Sequence, residues 1–202
     1  MFPEGFMMLN TTGTVRQLVD DDFEKQLHRI EEAAQDLVEN NCDSIIFSGS
    51  PLFTRLPFGA DRELGQKAKR TNSACPVAAG LTAEVEALKA MNCRKLVVGT
   101  PYHDELNQRL EAPPRSSPVS KSCRSPATAC AETPSSRDLP VHASYKIAKR
   151  LYAKGRDADG IFIACPRWPT ITDVQLLEDE IGKPVVTEQL GVQLVRHETD
   201  RH

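Results

Sequence analysis

Several features that mark whole classes of protein are missing from this chain of 202 residues. No apolar run approaches the roughly 20 residues needed to cross a membrane, and the start from Met1 to Glu4 lacks the basic and apolar regions of a signal peptide. No long basic block interrupts a composition of 25 basic and 28 acidic residues, with a net charge of −3. We therefore expect neither a membrane nor a nucleic acid as a partner.

The cysteines and histidines also lack the spacing of a metal site. The six cysteines contain no C-x-x-C pair, which argues against a zinc ribbon and against a thioredoxin-type motif. His28, His103 and His142 are not spaced as ligands either, so no metal is expected. The apolar content of 40% suits a globular protein with a real core. Reduced thiols are the default in the cytosol, and we expect a cytoplasmic protein.

What is present is organised around the stretch from Asp159 to Thr170. The apolar run from Ile161 to Ala164 predicts a buried strand, because Gly160 and Pro166 bound it. Thr170 begins a new element, since Thr170-x-x-Asp173 resembles a capping box. Helically spaced apolar residues follow, and Gly182 with Pro184 ends the predicted helix.

Cys165 lies where this strand ends and the loop to the helix begins. In open α/β sheets that carboxyl edge is where ligands bind, which makes Cys165 a candidate functional thiol. The alternative is a structural cysteine, because an unpaired cysteine usually behaves as a small buried hydrophobe. Taken alone, the position favours the structural interpretation.

The same strand–loop–helix order recurs earlier in the chain. Predicted strands at 44–48 and 95–99 end in the polar loops Gly49-Ser50 and Thr100-Pro101-Tyr102, and a shorter strand candidate covers 76–79. Predicted helices cover 23–38, 60–70, 81–91 and the residues around 106–110. This order predicts a parallel sheet covered by helices, whose polar loops share one edge with Cys165.

Residues 112–138 break that pattern. Proline and serine dominate them, and neither a helical nor a strand period survives. Such a segment buries too little apolar surface to offset its ordering entropy, so we expect it to be disordered. The predicted organisation is therefore a first α/β half over 1–110, a Pro/Ser-rich segment over 111–138, and an incomplete second half over 139–202.

A set of motifs resembles one protein family in content and in order. The motifs are Ser48-Gly-Ser-Pro-Leu-Phe53, Cys75-Pro76, the helix over 81–91, Thr100-Pro-Tyr102 with Asn107 and Arg109, and Asp159-Gly-Ile-Phe-Ile-Ala-Cys165. They look like the arylmalonate decarboxylase and maleate cis-trans isomerase branch of the aspartate/glutamate racemase superfamily. The resemblance covers about 12–110 and 139–190. It implies two pseudo-symmetric α/β halves. We expect this chain to depart from that pattern, with a first half that lacks its opening strand and a second half that is disrupted.

The resemblance also implies chemistry without a cofactor at the carbon next to a carboxylate. Racemases and isomerases of the superfamily use one cysteine from each half, whereas the decarboxylases use one. Here Cys165 matches the cysteine of the second half, and Gly49 occupies the position of the first. Cys165 would deliver or take a proton, or attack as a thiolate. The hydroxyls of Ser50 and Tyr102 would stabilise negative charge on the carboxylate.

Two prolines depart from the family pattern. Pro166 follows Cys165, where the decarboxylases carry glycine, and Pro51 follows Ser50, where they carry serine. Proline has no N–H, so two candidate donors to an oxyanion are absent, and losing one such donor costs about a hundredfold or more in rate. The resemblance places Gly49, Ser50, Tyr102 and Pro166 around the substrate, while the prolines argue against an arylmalonate.

Three functional hypotheses remain open. The first is a cofactor-free lyase or isomerase that acts on a small carboxylic acid. The second is a catalytically impaired remnant of the same fold, favoured by the two prolines and the disrupted segment. The third is a module that binds small carboxylates in the same cleft. The sequence leaves open whether the chain forms a homo-oligomer.

The segment over 112–138 yields a test at the level of the gene. The family would place a strand there, and the length of the segment suits the gap. A compensated reading-frame shift, with one indel near codon 111 and another near codon 138, explains this. It predicts that another frame of the same DNA encodes an apolar strand pattern. If neither alternative frame does, the segment is a genuine flexible linker.

Overall fold

The structure is a computed structural model, and it describes residues 7–12, 20–49, 63, 77–102, 142–166 and 168–188. Helices and strands alternate through these residues, which confirms the predicted α/β class. The elements are α1 Asp20–Glu39, β1 Ile45–Phe47, β2 Val77–Ala79, α2 Gly80–Ala90, β3 Leu96–Gly99, α3 Ala143–Lys154, β4 Gly160–Ile163, α4 Ile171–Ile181 and β5 Val185–Thr187. None of these helices is both long and apolar enough to cross a membrane.

The described strands form two parallel sheets. β1 pairs with β2 in one sheet, and β3, β4 and β5 form the other in that order. The register in the larger sheet pairs Gly99 with Ile163, and Ile163 with Thr187. The larger sheet thus joins β3, from the 1–110 segment, to two strands of the 139–202 segment. The division of the chain into two halves stays a prediction.

The larger sheet is covered on both faces, because successive residues of a strand point to opposite sides. The face that packs against α3 and α4 is formed by Val97, Ile161, Ile163 and Val185. The opposite face, which packs against α2, is formed by Leu96, Val98, Phe162 and Val186. Strands buried on both faces explain the continuous apolar runs in the sequence.

Asp159 fixes the start of the β3–β4 pair. Its carboxylate accepts hydrogen bonds from the backbone N–H groups of Arg94, at 2.9 Å, and Lys95, at 2.8 Å. Its own N–H donates to the carbonyl of Lys95 at 2.9 Å. Asp159, which belongs to the motif that resembles the family, therefore has a structural role: it holds the amino ends of β3 and β4 together.

The elements predicted around Cys165 are confirmed in outline. The predicted strand is β4, and the helix after Thr170 is α4. The helix ends before Gly182, which adopts the left-handed conformation (φ 67°) that favours glycine. β5 was not predicted. The predictions for residues 60–70, 106–110 and 112–138, and for Cys75, lie outside the described residues, apart from Glu63, which is helical.

The capping box predicted at Thr170 and Asp173 is wrong. Thr170 does stand at the N-cap of α4, but its side chain makes no capping hydrogen bond. The carboxylate of Asp173 is bonded instead to Ser144 and His142, at the start of α3. Aspartate is one methylene shorter than the glutamate of a capping box, and here its carboxylate is engaged by another helix.

The contact between Gly160 and Cys93 gives a prediction about stability. A Cβ at Gly160 would lie 2.6 Å from the Sγ of Cys93, whereas a Cβ at Gly99 would meet nothing closer than 3.8 Å. Gly160→Ala should therefore lower the free energy of unfolding by about 1–3 kcal/mol, measured by urea denaturation. Gly99→Ala, in the adjacent strand, is the matched control and should change it by less than about 0.5 kcal/mol.

The Cys93→Ala background tests the cause of that loss. Because it removes the sulfur atom that the new methyl group would meet, Gly160→Ala should cost clearly less there than in the wild type. Equal costs in both backgrounds would show that the clash with Cys93 is not responsible.

Candidate functional site

The candidate site lies at the carboxyl edge of the larger sheet. Tyr102 follows β3 and Cys165 follows β4, and the parallel pairing of these strands places both residues at the same edge. Cys165 is 3% exposed and Tyr102 is 8% exposed, and both belong to one buried cluster that also contains Trp168. The structure thus brings together two of the residues selected from the sequence.

The Tyr102 side chain interacts directly with Cys165. Burial raises the pKa of the Tyr102 hydroxyl well above its usual range. The pKa is raised further by negative charge on Cys165 and Glu188, by a hydrogen bond with Cys165, and by negative charge on Glu84. The backbone N–H of Tyr102 donates to the Thr100 hydroxyl at 3.3 Å, which fixes the turn after β3. At neutral pH Tyr102 therefore presents a protonated hydroxyl next to the thiol.

Two buried carboxyl groups accompany this pair, and the sequence analysis did not select either. Glu188 directly follows β5, and Glu84 lies in the second turn of α2; the two side chains are 0% and 1% exposed. The Glu84 carboxylate lies close to Gly80, near the ends of β1 and β2: a Cβ added to Gly80 would be 3.7 Å from its Oε1 atom. Negative charge on Glu188 and on Glu84 contributes to the raised pKa of the Tyr102 hydroxyl.

A sequence signal for Glu84 did exist. Glu84 precedes Ala87 and Leu88 by three and four positions, so it shares their buried helical face. A charged residue at a core position of a helix is uncommon, and it marks either a polar network or a functional group. For Glu188 no comparable signal exists, because β5 itself was not predicted.

The loop after Cys165 is compact and partly buried. Trp168 is fully buried, and its backbone N–H donates to the carbonyl of Cys165 at 3.3 Å. Pro166 is half-buried next to Cys165 and supplies no N–H to the site. This loop leads into α4 through Thr170, whose carbonyl accepts the N–H of Asp173 at 2.9 Å.

Gly49 follows β1 with a φ of 141°, a conformation that residues with a side chain rarely adopt. Ser50 and Pro51 lie outside the described residues. The roles predicted for Gly49, Ser50, Tyr102 and Pro166 in substrate binding, and for Cys165 in catalysis, remain predictions. Among the residues that the structure describes, no group of three or more His, Cys, Asp or Glu side chains is placed to hold a metal ion.

Comparison with known proteins identifies relatives along most of the chain. The sequence profile of the family described as arylmalonate decarboxylase matches residues 1–195. The arylmalonate decarboxylase of Bordetella bronchiseptica is 28% identical over 121 residues, which are 59% of this chain and 50% of that protein. The chain thus spans about half the length of the curated relative that it matches.

Solved structures share the fold at low sequence identity. Unliganded arylmalonate decarboxylase superposes with a TM-score of 0.69 at 20% identity, covering 83% of this chain and 72% of that one. A Nocardia farcinica maleate cis-trans isomerase mutant with a covalently bound succinylcysteine intermediate gives a TM-score of 0.75 at 16% identity, covering 89% and 75%. Both similarities agree with the family resemblance seen in the sequence.

The buried tyrosine predicts how stability depends on pH. As pH rises through about 10, Tyr102 loses its proton in the unfolded chain but keeps it in the folded one, because its folded pKa is raised. The unfolded state then binds fewer protons, so the free energy of unfolding falls with rising pH. Tyr102→Phe should reduce the drop in melting temperature between pH 8 and about pH 10.5.

Tyr152→Phe is the control for this experiment, because Tyr152 is a partly buried tyrosine that packs at the margin of the same core. It should leave the alkaline drop as it is in the wild type. If the drop were the same in Tyr102→Phe as in the wild type, Tyr102 would not be the group responsible.

Proposed function

Because the chain belongs to the arylmalonate decarboxylase family, we propose that it is a cofactor-independent enzyme acting next to a carboxylate of a small carboxylic acid, with Cys165 as its reactive thiol. The observation that carries the proposal is the buried pair of Cys165 and Tyr102 at the carboxyl edge of parallel strands. This pair offers a transferable proton and a hydrogen-bond donor at one place.

The proposed reaction is a decarboxylation. The bond between the substrate's central carbon and one carboxylate breaks, carbon dioxide leaves, and the electron pair moves onto the remaining carboxylate as an enediolate. The Tyr102 hydroxyl donates a hydrogen bond to an oxygen of that group. Cys165 gives its proton to the carbon, and the resulting thiolate recovers a proton from water.

The surroundings of Cys165 favour this role as an acid. Cys165 is 3% exposed, and burial disfavours the charged form of a thiol. In the proposed reaction Cys165 keeps its proton until the carbon atom takes it.

The backbone at Gly49 supports a site with a single thiol. With φ at 141°, a cysteine at this position would be strained. A two-cysteine mechanism, in which a second thiol works from the opposite side of the substrate, thus fits this chain poorly. Product protonation from one side only follows from this arrangement.

A second candidate function is isomerisation by thiolate attack. The Nocardia farcinica isomerase structure that shares this fold contains a succinylcysteine, which is the product of a cysteine adding to its substrate. The same step here would form a bond between the Sγ of a Cys165 thiolate and one alkene carbon, while the π bond opens and its electron pair moves toward the carboxylate on the other alkene carbon. Rotation about the resulting single bond and expulsion of the thiolate would then restore the double bond. A catalytically impaired remnant is the third, and Pro166, which lacks an N–H at the loop after Cys165, favours it.

A substrate screen with matched variants tests the proposal. Wild type, Cys165→Ala and Cys42→Ala are assayed with substituted malonates, maleate, aspartate and glutamate. Cys165→Ala should lower kcat at least about a hundredfold, because a general acid contributes that much. Cys42→Ala, which changes a cysteine that follows α1, should keep the wild-type rate.

The outcomes separate the three candidates. Turnover of a malonate without a covalent adduct supports the decarboxylase, and turnover of maleate with a substrate adduct on Cys165, seen by mass spectrometry, supports the isomerase. Wild-type turnover by Cys165→Ala would contradict the assignment of Cys165. Binding of a carboxylate without turnover by the wild type would favour the remnant or the binding module.

A further inference from the structure

A buried carboxylate joins the starts of two helices beside the site. Asp173, in the first turn of α4, is 0% exposed. Its Oδ2 accepts a hydrogen bond from the Ser144 hydroxyl at 2.7 Å, and its Oδ1 lies 2.5 Å from Nδ1 of His142. Ser144 and His142 both belong to the start of α3. Each oxygen of the carboxylate is thus engaged by the neighbouring helix.

The energetics of this contact make it a strong constraint. A carboxylate removed from water is costly unless hydrogen bonds replace the lost solvation. Ser144 is itself buried, so its hydroxyl also depends on this bond. His142 is 55% exposed on its side chain and takes a left-handed conformation (φ 68°), which is uncommon for a residue with a side chain. The contact therefore fixes the two helix starts relative to each other.

The loop that carries Cys165 lies directly next to this contact. Asp173 donates its N–H to the carbonyl of Thr170, the last residue of the loop, and Trp168 donates its N–H to the carbonyl of Cys165. The Ser144 hydroxyl also lies 3.5 Å from the carbonyl of Pro169. Main-chain hydrogen bonds therefore engage both the first residue of the Cys165–Thr170 loop, Cys165, and its last residue, Thr170, which is bonded to Asp173.

The core beneath the loop makes the same connection. Ala143, the residue before Ser144, belongs to one buried cluster with Trp168, Cys165 and Tyr102. Any movement of the start of α3 away from α4 would open this cluster on the side of the thiol. The position of Cys165 consequently depends on a carboxylate that lies eight residues further along the chain.

We propose that Asp173 is a positioning residue, which holds the Cys165–Thr170 loop, and with it the thiol, through its bonds to Ser144 and His142. Its link to turnover rests on the proposed function, whereas its effect on the thiol and on Trp168 does not. Trp168 is the only tryptophan in the chain, so its fluorescence reports on this loop alone.

Four variants test the proposal: Asp173→Ala, Asp173→Asn, Ser144→Ala and, as the matched control, Asp159→Ala. Asp159 is also a carboxylate that accepts hydrogen bonds, from the N–H groups of Arg94 and Lys95, but it lies at the opposite end of β4. For each variant we would measure the melting temperature, acrylamide quenching of Trp168, and alkylation of Cys165 relative to Cys42 by mass spectrometry of peptides.

Asp173→Ala should raise the alkylation rate of Cys165 relative to Cys42 by about tenfold or more, because local opening exposes the thiol, and should increase the quenching of Trp168. Ser144→Ala should change both in the same direction by a smaller amount. Asp173→Asn keeps one acceptor oxygen for Ser144 and should restore part of the wild-type behaviour. Asp159→Ala should lower the melting temperature while both site readouts stay at their wild-type values.

Equal changes in Asp159→Ala and Asp173→Ala would overturn the proposal, because they would show general loosening rather than positioning. Unchanged alkylation and quenching in Asp173→Ala would overturn it as well. If Asp173→Ala does not fold, Asp173→Asn and Ser144→Ala carry the same comparison. Should no tested acid be turned over while alkylation and quenching change as expected, the proposed function fails and the positioning role stands.

Discussion

The parallel pairing of β3, β4 and β5 is the constraint on which the candidate site depends. β4 is the central strand of the three, so the residues that follow it lie between those that follow β3 and β5. Tyr102, Cys165 and Glu188 come directly after these three strands and therefore meet at one edge, although they lie far apart in the sequence. A parallel ladder makes this convergence a property of the topology rather than of any single side chain.

The groups that converge there are acidic or weakly acidic, and they are buried. In the low dielectric of a protein interior, neighbouring groups of this kind cannot all carry negative charge. The Tyr102 hydroxyl therefore keeps its proton, and it shares a hydrogen bond with Cys165. A protonated hydroxyl beside the sulfur can donate a hydrogen bond to a substrate oxygen or to Cys165, so it suits proton transfer from the thiol as well as attack by a thiolate. Burial and charge thus fix the state of the hydroxyl, whereas the choice between the two reactions depends on the protonation of the thiol.

The sequence predicted the parts of this arrangement that rest on local pattern. The apolar run of β4, the glycine after α4 and the repeated strand–loop–helix order were sufficient for the fold class and for the placement of Cys165 and Tyr102 after parallel strands. The roles predicted for these two residues came from the family resemblance. β5 was missed because a strand of three residues after Pro184 gives no measurable period. Glu84 was missed because a charged residue in a helix is normally assigned to solvent. Asp173 bonds to His142, which lies 31 residues earlier in the chain, so only the tertiary structure shows this contact.

Near each end of β4 an aspartate carboxylate accepts hydrogen bonds, but the two carboxylates have different structural roles. At the amino end, Asp159 bonds to main-chain N–H groups, so its carboxylate secures the register of the strands. At the carboxyl end, Asp173 bonds to side chains of another helix, so its carboxylate secures the packing around a loop. Register affects every residue of the sheet, whereas the loop affects mainly Cys165 and Trp168. It follows that the helix starts at the carboxyl edge can be altered with consequences for the thiol that exceed those for the fold.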